Sequence, residues 1–153
     1  MSAMKDQLRT DLTASIKARD AMRSSTLRMV LTAITTAEVA GKEAREISDD
    51  EVMAVLGSEV KKRREAAEAF TAGNRPAMAE KETAEAAILA EYLPEQMTGE
   101  EIAALVSAAV ESTGSAGEGM RAMGKVMGVV TPQTKGKADS GVVAAEVKRQ
   151  LGA

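Results

Sequence analysis

The sequence predicts an all-α protein. Apolar residues recur at three- and four-residue spacing along most of the chain, no segment shows the strict alternation of a strand, and helix-capping patterns precede several of the apolar runs. The expected architecture is a four-helix N-terminal subdomain over 1–94, followed by a three-helix C-terminal bundle over 97–153.

Residues 4 to about 19 place Met4, Leu8, Leu12 and Ile16 four apart, on one face of a first helix. A second helix over about 22–40 turns Leu27, Val30, Leu31 and Ile34 inward and ends near Gly41. Ser48-Asp49-Asp50-Glu51 reads as a capping box, in which the Ser48 hydroxyl caps a backbone N–H while Glu51 reaches back. The two aspartates suit the positive end of the helix dipole, so capping accounts for them better than catalysis or metal binding. This third helix runs to about 72 and stops at Gly73. Pro76 belongs in the first turn of a fourth helix, which ends before Pro94.

Thr98 to Glu101 forms a second capping box. The fifth helix, about 99–113, buries Ile102, Leu105, Val106 and Val110. Ser115 to Glu118 reads as a third box, opening a sixth helix that runs to about 130 and is stopped by Thr131 and Pro132. The stretch TPQTKGKADSG then reads as a loop. Asp139 or Ser140 caps a last helix with Val142, Val143, Val147 and Leu151 inward.

Composition excludes several chemistries. The chain has 153 residues and no Cys, so disulfides, thiol nucleophiles and Cys-bound metals are ruled out. It has no His, which removes the commonest general base and zinc ligand. Only carboxylates, lysines and Tyr92 remain for acid–base work. Aromatics are 1% of the chain, so the core must be aliphatic, with the 10 Met filling gaps between helices. The start MSAMKDQLRT lacks an apolar signal region, and no apolar run approaches the roughly 20 residues of a membrane span. A cytoplasmic, soluble protein is expected, with neither membrane nor DNA as a partner and no cofactor or metal.

The stretch GMRAMGKV, residues 119–126, matches seven of the eight positions of a phosphate-binding P-loop. The eighth should be a magnesium-binding hydroxyl and is Val126. A P-loop also needs a strand before it, and a helix end precedes this stretch. On a helix, Met120, Met123, Met127 and Val130 share one face, Arg121 and Lys125 another, and Gly124 and Gly128 lie between. The methionines read as core. The glycines leave a notch for a close neighbouring helix or for the backbone of a ligand.

Between Gly119 and Ala138 the chain carries Arg121, Lys125, Lys135 and Lys137 and no acid, a local reversal in an acidic protein. Such a row suits phosphate contacts, and it also suits a plain solvated face. With no aromatic here for base stacking, the shape and backbone of folded RNA fit better than single strands. Two other basic runs read first as surface, and the second of them also suits a weak second RNA contact. EVKKRREAAE at 59–68 pairs Lys61 with Glu65 and Arg64 with Glu68 along a solvated face, and Lys17, Arg19, Arg23 and Arg28 form a weaker group.

MGKVMG (123–128), KGKAD (135–139) and VAAEVKRQL (143–151) resemble the end of the YqeY proteins, and RSSTLRMVLTAI (23–34) and LAEYLPEQMTGEEI (89–102) resemble other landmarks of that family. The same module is similar to the C-terminal tail of GatB, the B subunit of the tRNA-dependent amidotransferase. The chain departs from the family pattern at Ser140, where Gly commonly follows the Asp. The resemblance implies two helical subdomains and a tail that helps an amidotransferase or an aminoacyl-tRNA synthetase hold tRNA. Carried onto this chain, it places Gly124, Lys125, Gly136 and Lys137 nearest RNA, with Arg121 and Lys135 beside them on charge. The family is also labelled a carbon–nitrogen ligase using glutamine as amide donor. That implies a component of a glutamyl-tRNA amidotransferase complex, while this chain offers no catalytic residues of its own. A helical protein–protein adaptor is the third reading.

Overall fold

The computed structural model describes residues 2–152. Among them are seven α-helices and no strand: α1 (Ala3–Lys17), α2 (Ala21–Glu38), α3 (Asp49–Ala72), α4 (Pro76–Ala90), α5 (Gly99–Ser112), α6 (Met123–Thr134) and α7 (Ser140–Gln150). The chain divides into two compact units, one ending at Leu93 and the other beginning at Pro94.

In the first unit, α3 and α4 share the most extensive contact, and α1 and α2 pack on each other and on that pair. Leu8, Leu27, Val30, Ile34, Val52, Leu56 and Leu89 meet in its core. Leu12 and Leu31 are partly buried against it. Ile16, expected inward, is 49% exposed, and its neighbour Ser15 is the residue buried at that end of α1. The Ser48–Glu51 box forms in full, and Pro76 takes the first turn of α4. α3 closes one residue beyond the expected glycine. Gly73 keeps a negative φ and Asn74 takes the left-handed conformation at φ 57°. Arg75 N–H then bonds Phe70 C=O at 2.8 Å and Asn74 N–H bonds Thr71 C=O at 3.1 Å, the paired closure of a Schellman motif.

In the second unit α5, α6 and α7 all contact one another. Ile102, Val106, Ala122, Val126, Val130, Val143, Val147 and Leu151 form an aliphatic core. Thr98 caps α5 through Glu101 N–H. Several expectations fail here. The third capping box does not form, and the sixth helix starts at Met123 after a 3₁₀ turn over Gly119–Ala122. Gly114, Gly117 and Gly119 all have positive φ, which an α-helix cannot hold. Ser115 instead closes α5: its N–H bonds Val110 C=O at 2.9 Å, and its buried hydroxyl meets Thr113 Oγ1 at 2.6 Å.

The helix also continues through Pro132 to Thr134. Proline removes the hydrogen bond to the carbonyl four residues back, that of Gly128, and both residues are exposed, so water can replace it. Finally, the buried face is centred on Ala122, Val126 and Val130, with Met123 and Met127 at its flanks and Met120 48% exposed. Met120 sits in the 3₁₀ turn, whose three-residue repeat breaks the α-helical register. Val142 is likewise 52% exposed, while Val143, Val147 and Leu151 are inward as expected. Asp139 takes the N-cap position of α7 and Ser140 begins the helix.

Candidate nucleic-acid interface

Val126 settles what the P-loop lookalike is. Its side chain is fully buried in the aliphatic core, and the stretch before it is a turn leaving a helix. The eighth position therefore faces away from solvent and presents no site for a metal or phosphate. Gly124 and Gly128 behave oppositely. Both are exposed, and apart from the adjoining residues and the helix's own backbone no described atom lies within 4 Å of where a Cβ on either would stand. The close-neighbour reading of these glycines is therefore corrected: among the described residues no helix packs into the notch. Arg121 and Lys125 are exposed next to it. Lys125 Nζ lies 3.1 Å from a Glu118 carboxylate oxygen, an acid one residue outside the acid-free stretch.

The Lys135–Lys137 segment is a type II turn. Lys135 has φ −56° and ψ 121°, Gly136 has φ 75°, and Lys137 N–H bonds Thr134 C=O at 2.9 Å. The third position of such a turn requires positive φ, which is why a glycine stands between the lysines. The turn is fastened from the side. Gln96 Nε2 donates to Gly136 C=O at 2.9 Å and to Pro94 C=O at 2.8 Å, and Met97 N–H donates to Lys137 C=O at 2.8 Å. Lys135 and Lys137 remain exposed.

The six candidate residues do not gather into one pocket. Arg121, Gly124 and Lys125 lie at the start of α6 and the lysine turn at its end. At 1.5 Å per residue, Lys125 and Lys135 are roughly 15 Å apart along the axis. That separation suits several phosphates along a backbone, not a single one. The charge of this unit is also divided along its sequence. From Pro94 to Glu118 it carries acids and no base, and every base lies from Arg121 onward. On α7, Lys148 is exposed, and Arg149 holds Glu146 at 2.5 Å, which with Gln150 draws that carboxyl down to about 2.

The basic groups of the first unit are engaged differently. Arg23 forks onto Glu91 at 2.7 and 3.2 Å, which raises the guanidinium and lowers the carboxyl. Arg63, expected in a solvated row, is buried between Glu59 at 2.6 Å and Glu85 at 3.3 Å, and its Nη2 meets Met29 Sδ at 3.2 Å. Tyr92 donates to Asp11, and burial followed by that bond pushes its hydroxyl well above the usual range. Tyr92 is thus held as a donor and is not a ready base. Lys17, Arg19 and Arg28 are exposed. Sequence reasoning missed Gln96, Glu118 and Glu85, because their roles depend on partners distant in sequence or on a turn it read as helix.

An all-α chain with this lysine turn and open glycine pair meets a known family. It belongs to the YqeY-like proteins, whose family profile matches residues 5–151. It is also similar to an uncharacterized protein of Schizosaccharomyces pombe, 36% identical over 89 residues, which make up 58% of this chain and 70% of that relative. Among the described residues, no helix is long and apolar enough to cross a membrane.

Proposed function

We propose that this protein is a tRNA-binding accessory in tRNA-dependent amidation or aminoacylation, working in the cytoplasm beside an amidotransferase or an aminoacyl-tRNA synthetase. In this reading residues 1–94 are a four-helix subdomain and residues 97–153 a GatB/YqeY-type three-helix subdomain that meets the RNA. The observation that carries the reading is the exposed pair Gly124 and Gly128 beside Arg121 and Lys125, with Lys135 and Lys137 at the far end of the same helix. Helical glycines cost stability, roughly 0.5–1 kcal/mol each against alanine. No neighbour fills the space these two leave, so a ligand backbone gives them a purpose. The bases supply phosphate contacts without base readout, as recognition of folded RNA by shape requires.

The chain lacks Cys and His and its only Tyr donates to Asp11, so in this reading the chemistry of amide transfer belongs to the partner. Membership of a glutamine-dependent carbon–nitrogen ligase complex then means holding tRNA for a partner that does the chemistry. Binding to bulk tRNA tests this, comparing the natural protein with the double variant Lys125→Glu, Lys137→Glu. A loss of at least tenfold is expected, since both changes reverse charge at phosphate contacts. Equal affinity would refute the reading. Recovery of a protein partner indifferent to these changes would favour the adaptor.

A further inference from the structure

We propose that Gln96 is a positioning residue for the RNA-facing lysine turn, an inference that rests on the tRNA reading above. Its carboxamide uses both N–H groups at once, on Pro94 C=O at 2.8 Å and on Gly136 C=O at 2.9 Å. Next to it, Met97 N–H donates to Lys137 C=O at 2.8 Å. On the other side, Lys135 N–H bonds Thr131 C=O at 3.1 Å, and Lys137 and Ala138 N–H both bond Thr134 C=O, at 2.9 and 3.1 Å. These backbone groups of the turn are therefore already engaged within the protein. What the turn offers a phosphate is the charge of Lys135 and Lys137, held on a backbone fixed from both sides.

Gln96 carries no charge and contributes no phosphate contact. It acts through the lysines by limiting the conformations from which they reach the RNA, so that less freedom is lost on binding. Its effect must then vanish when the lysines are absent, which separates positioning from general support of the fold.

The experiment uses the full chain carrying Gln96→Met, which keeps the side-chain length and removes the donors, with Gln96→Glu as a second variant. Two readouts are taken: hydrogen exchange at the Met97 amide, and affinity for bulk tRNA with and without Lys135→Ala, Lys137→Ala. The expected result is exchange at Met97 roughly five- to tenfold faster, with core amides of α5–α7 unchanged, the scale of one or two missing hydrogen bonds. Affinity for tRNA falls roughly three- to tenfold, on the same scale, with an unaltered salt slope, and the fall disappears in the lysine-free background. Unchanged exchange at Met97 overturns the clamp. Faster exchange with no change in tRNA affinity, or with a loss that persists without the lysines, overturns the positioning role. If the natural protein does not bind tRNA, the functional reading fails and the positioning role falls with it, while the exchange data still decide whether the clamp exists.

Discussion

Arg63 and Lys125 place a positive charge in two opposite settings, one in each unit. Arg63 is 7% exposed and sits between Glu59 and Glu85, with a thioether on its remaining side. Lys125 is 47% exposed, and its partner Glu118 is also open to water. The same division extends further. The first unit links its helices with polar side chains: Ser2 to Asp49 at 2.5 Å, Lys5 to Glu38 at 2.6 Å, Tyr92 to Asp11, and the buried hydroxyls of Ser15 and Ser24 at 2.8 Å. The second unit has an almost wholly aliphatic core and keeps its bases outside. A desolvated charge cannot change partner cheaply, whereas an exposed pair is worth little and can be exchanged for a phosphate. The first set of charges therefore holds helices together, and the second can exchange partners, as the tRNA proposal requires.

The largest test of that contrast is Arg63→Ala, which takes the buried guanidinium from Glu59 and Glu85 and leaves them only the exposed ammonium groups of Lys62 at 3.4 Å and Lys81 at 4.0 Å. A loss of about 3–5 kcal/mol is expected on denaturant unfolding, and a loss below about 1 kcal/mol would show that the buried cluster is not what links α3 to α4. Tyr92→Phe removes a bond to a charged acceptor at a half-buried site, with an expected cost of about 1–2 kcal/mol by the same measurement. In the second unit the sign reverses. Gly128→Ala meets no neighbour and should raise stability by about 0.5–1 kcal/mol. The same change should weaken tRNA binding, since it fills the notch. A variant that is stabilised and binds as before would leave the notch without a role.

The smallest effect is shared by both units. Glu51 is drawn from an ordinary 4.5 down to about 2, first by Arg45 and then by Ser48, and Glu146 is drawn equally low by Arg149 and Gln150. A depressed carboxyl contributes stability that is complete above its ordinary value and is lost as the pH falls towards its folded value. What these two carboxyls contribute to stability should therefore be lost between about 4.5 and about 2. Glu51→Gln and Glu146→Gln should each flatten the acid limb of the stability curve over that range, and an unchanged limb in both would argue against these pairs.

Local signals made most of the helices legible. Ser48 with Glu51 and Thr98 mark helix starts by bonding the adjoining backbone, and Pro76 by its fixed φ and missing N–H, so neighbours in sequence suffice to read them. The errors cluster where several residues act together. One glycine before α6 could sit in a helix, but positive φ at Gly114, Gly117 and Gly119 cannot, and periodicity alone did not reveal it. Val126 looked like a defect in a nucleotide loop and is a core residue; periodicity centred the buried face on the methionines beside it. Arg63 carries no local mark of burial, since Glu85 is brought to it by α4. Of the candidate site, composition and spacing gave the bases and the glycines. The Gln96 clamp needed the fold, because its acceptor Gly136 is 40 residues away.

The central claim is that the exposed bases along α6 are there for phosphate. Binding of tRNA across a salt series, for the natural protein and for Lys125→Glu with Lys137→Glu, tests it most directly. The account predicts affinity that falls linearly with salt on logarithmic axes. It also predicts a slope shallower in the variant by about 0.7–0.9 for each phosphate that is no longer neutralised. Affinity indifferent to salt, or identical slopes for the two proteins, would contradict it.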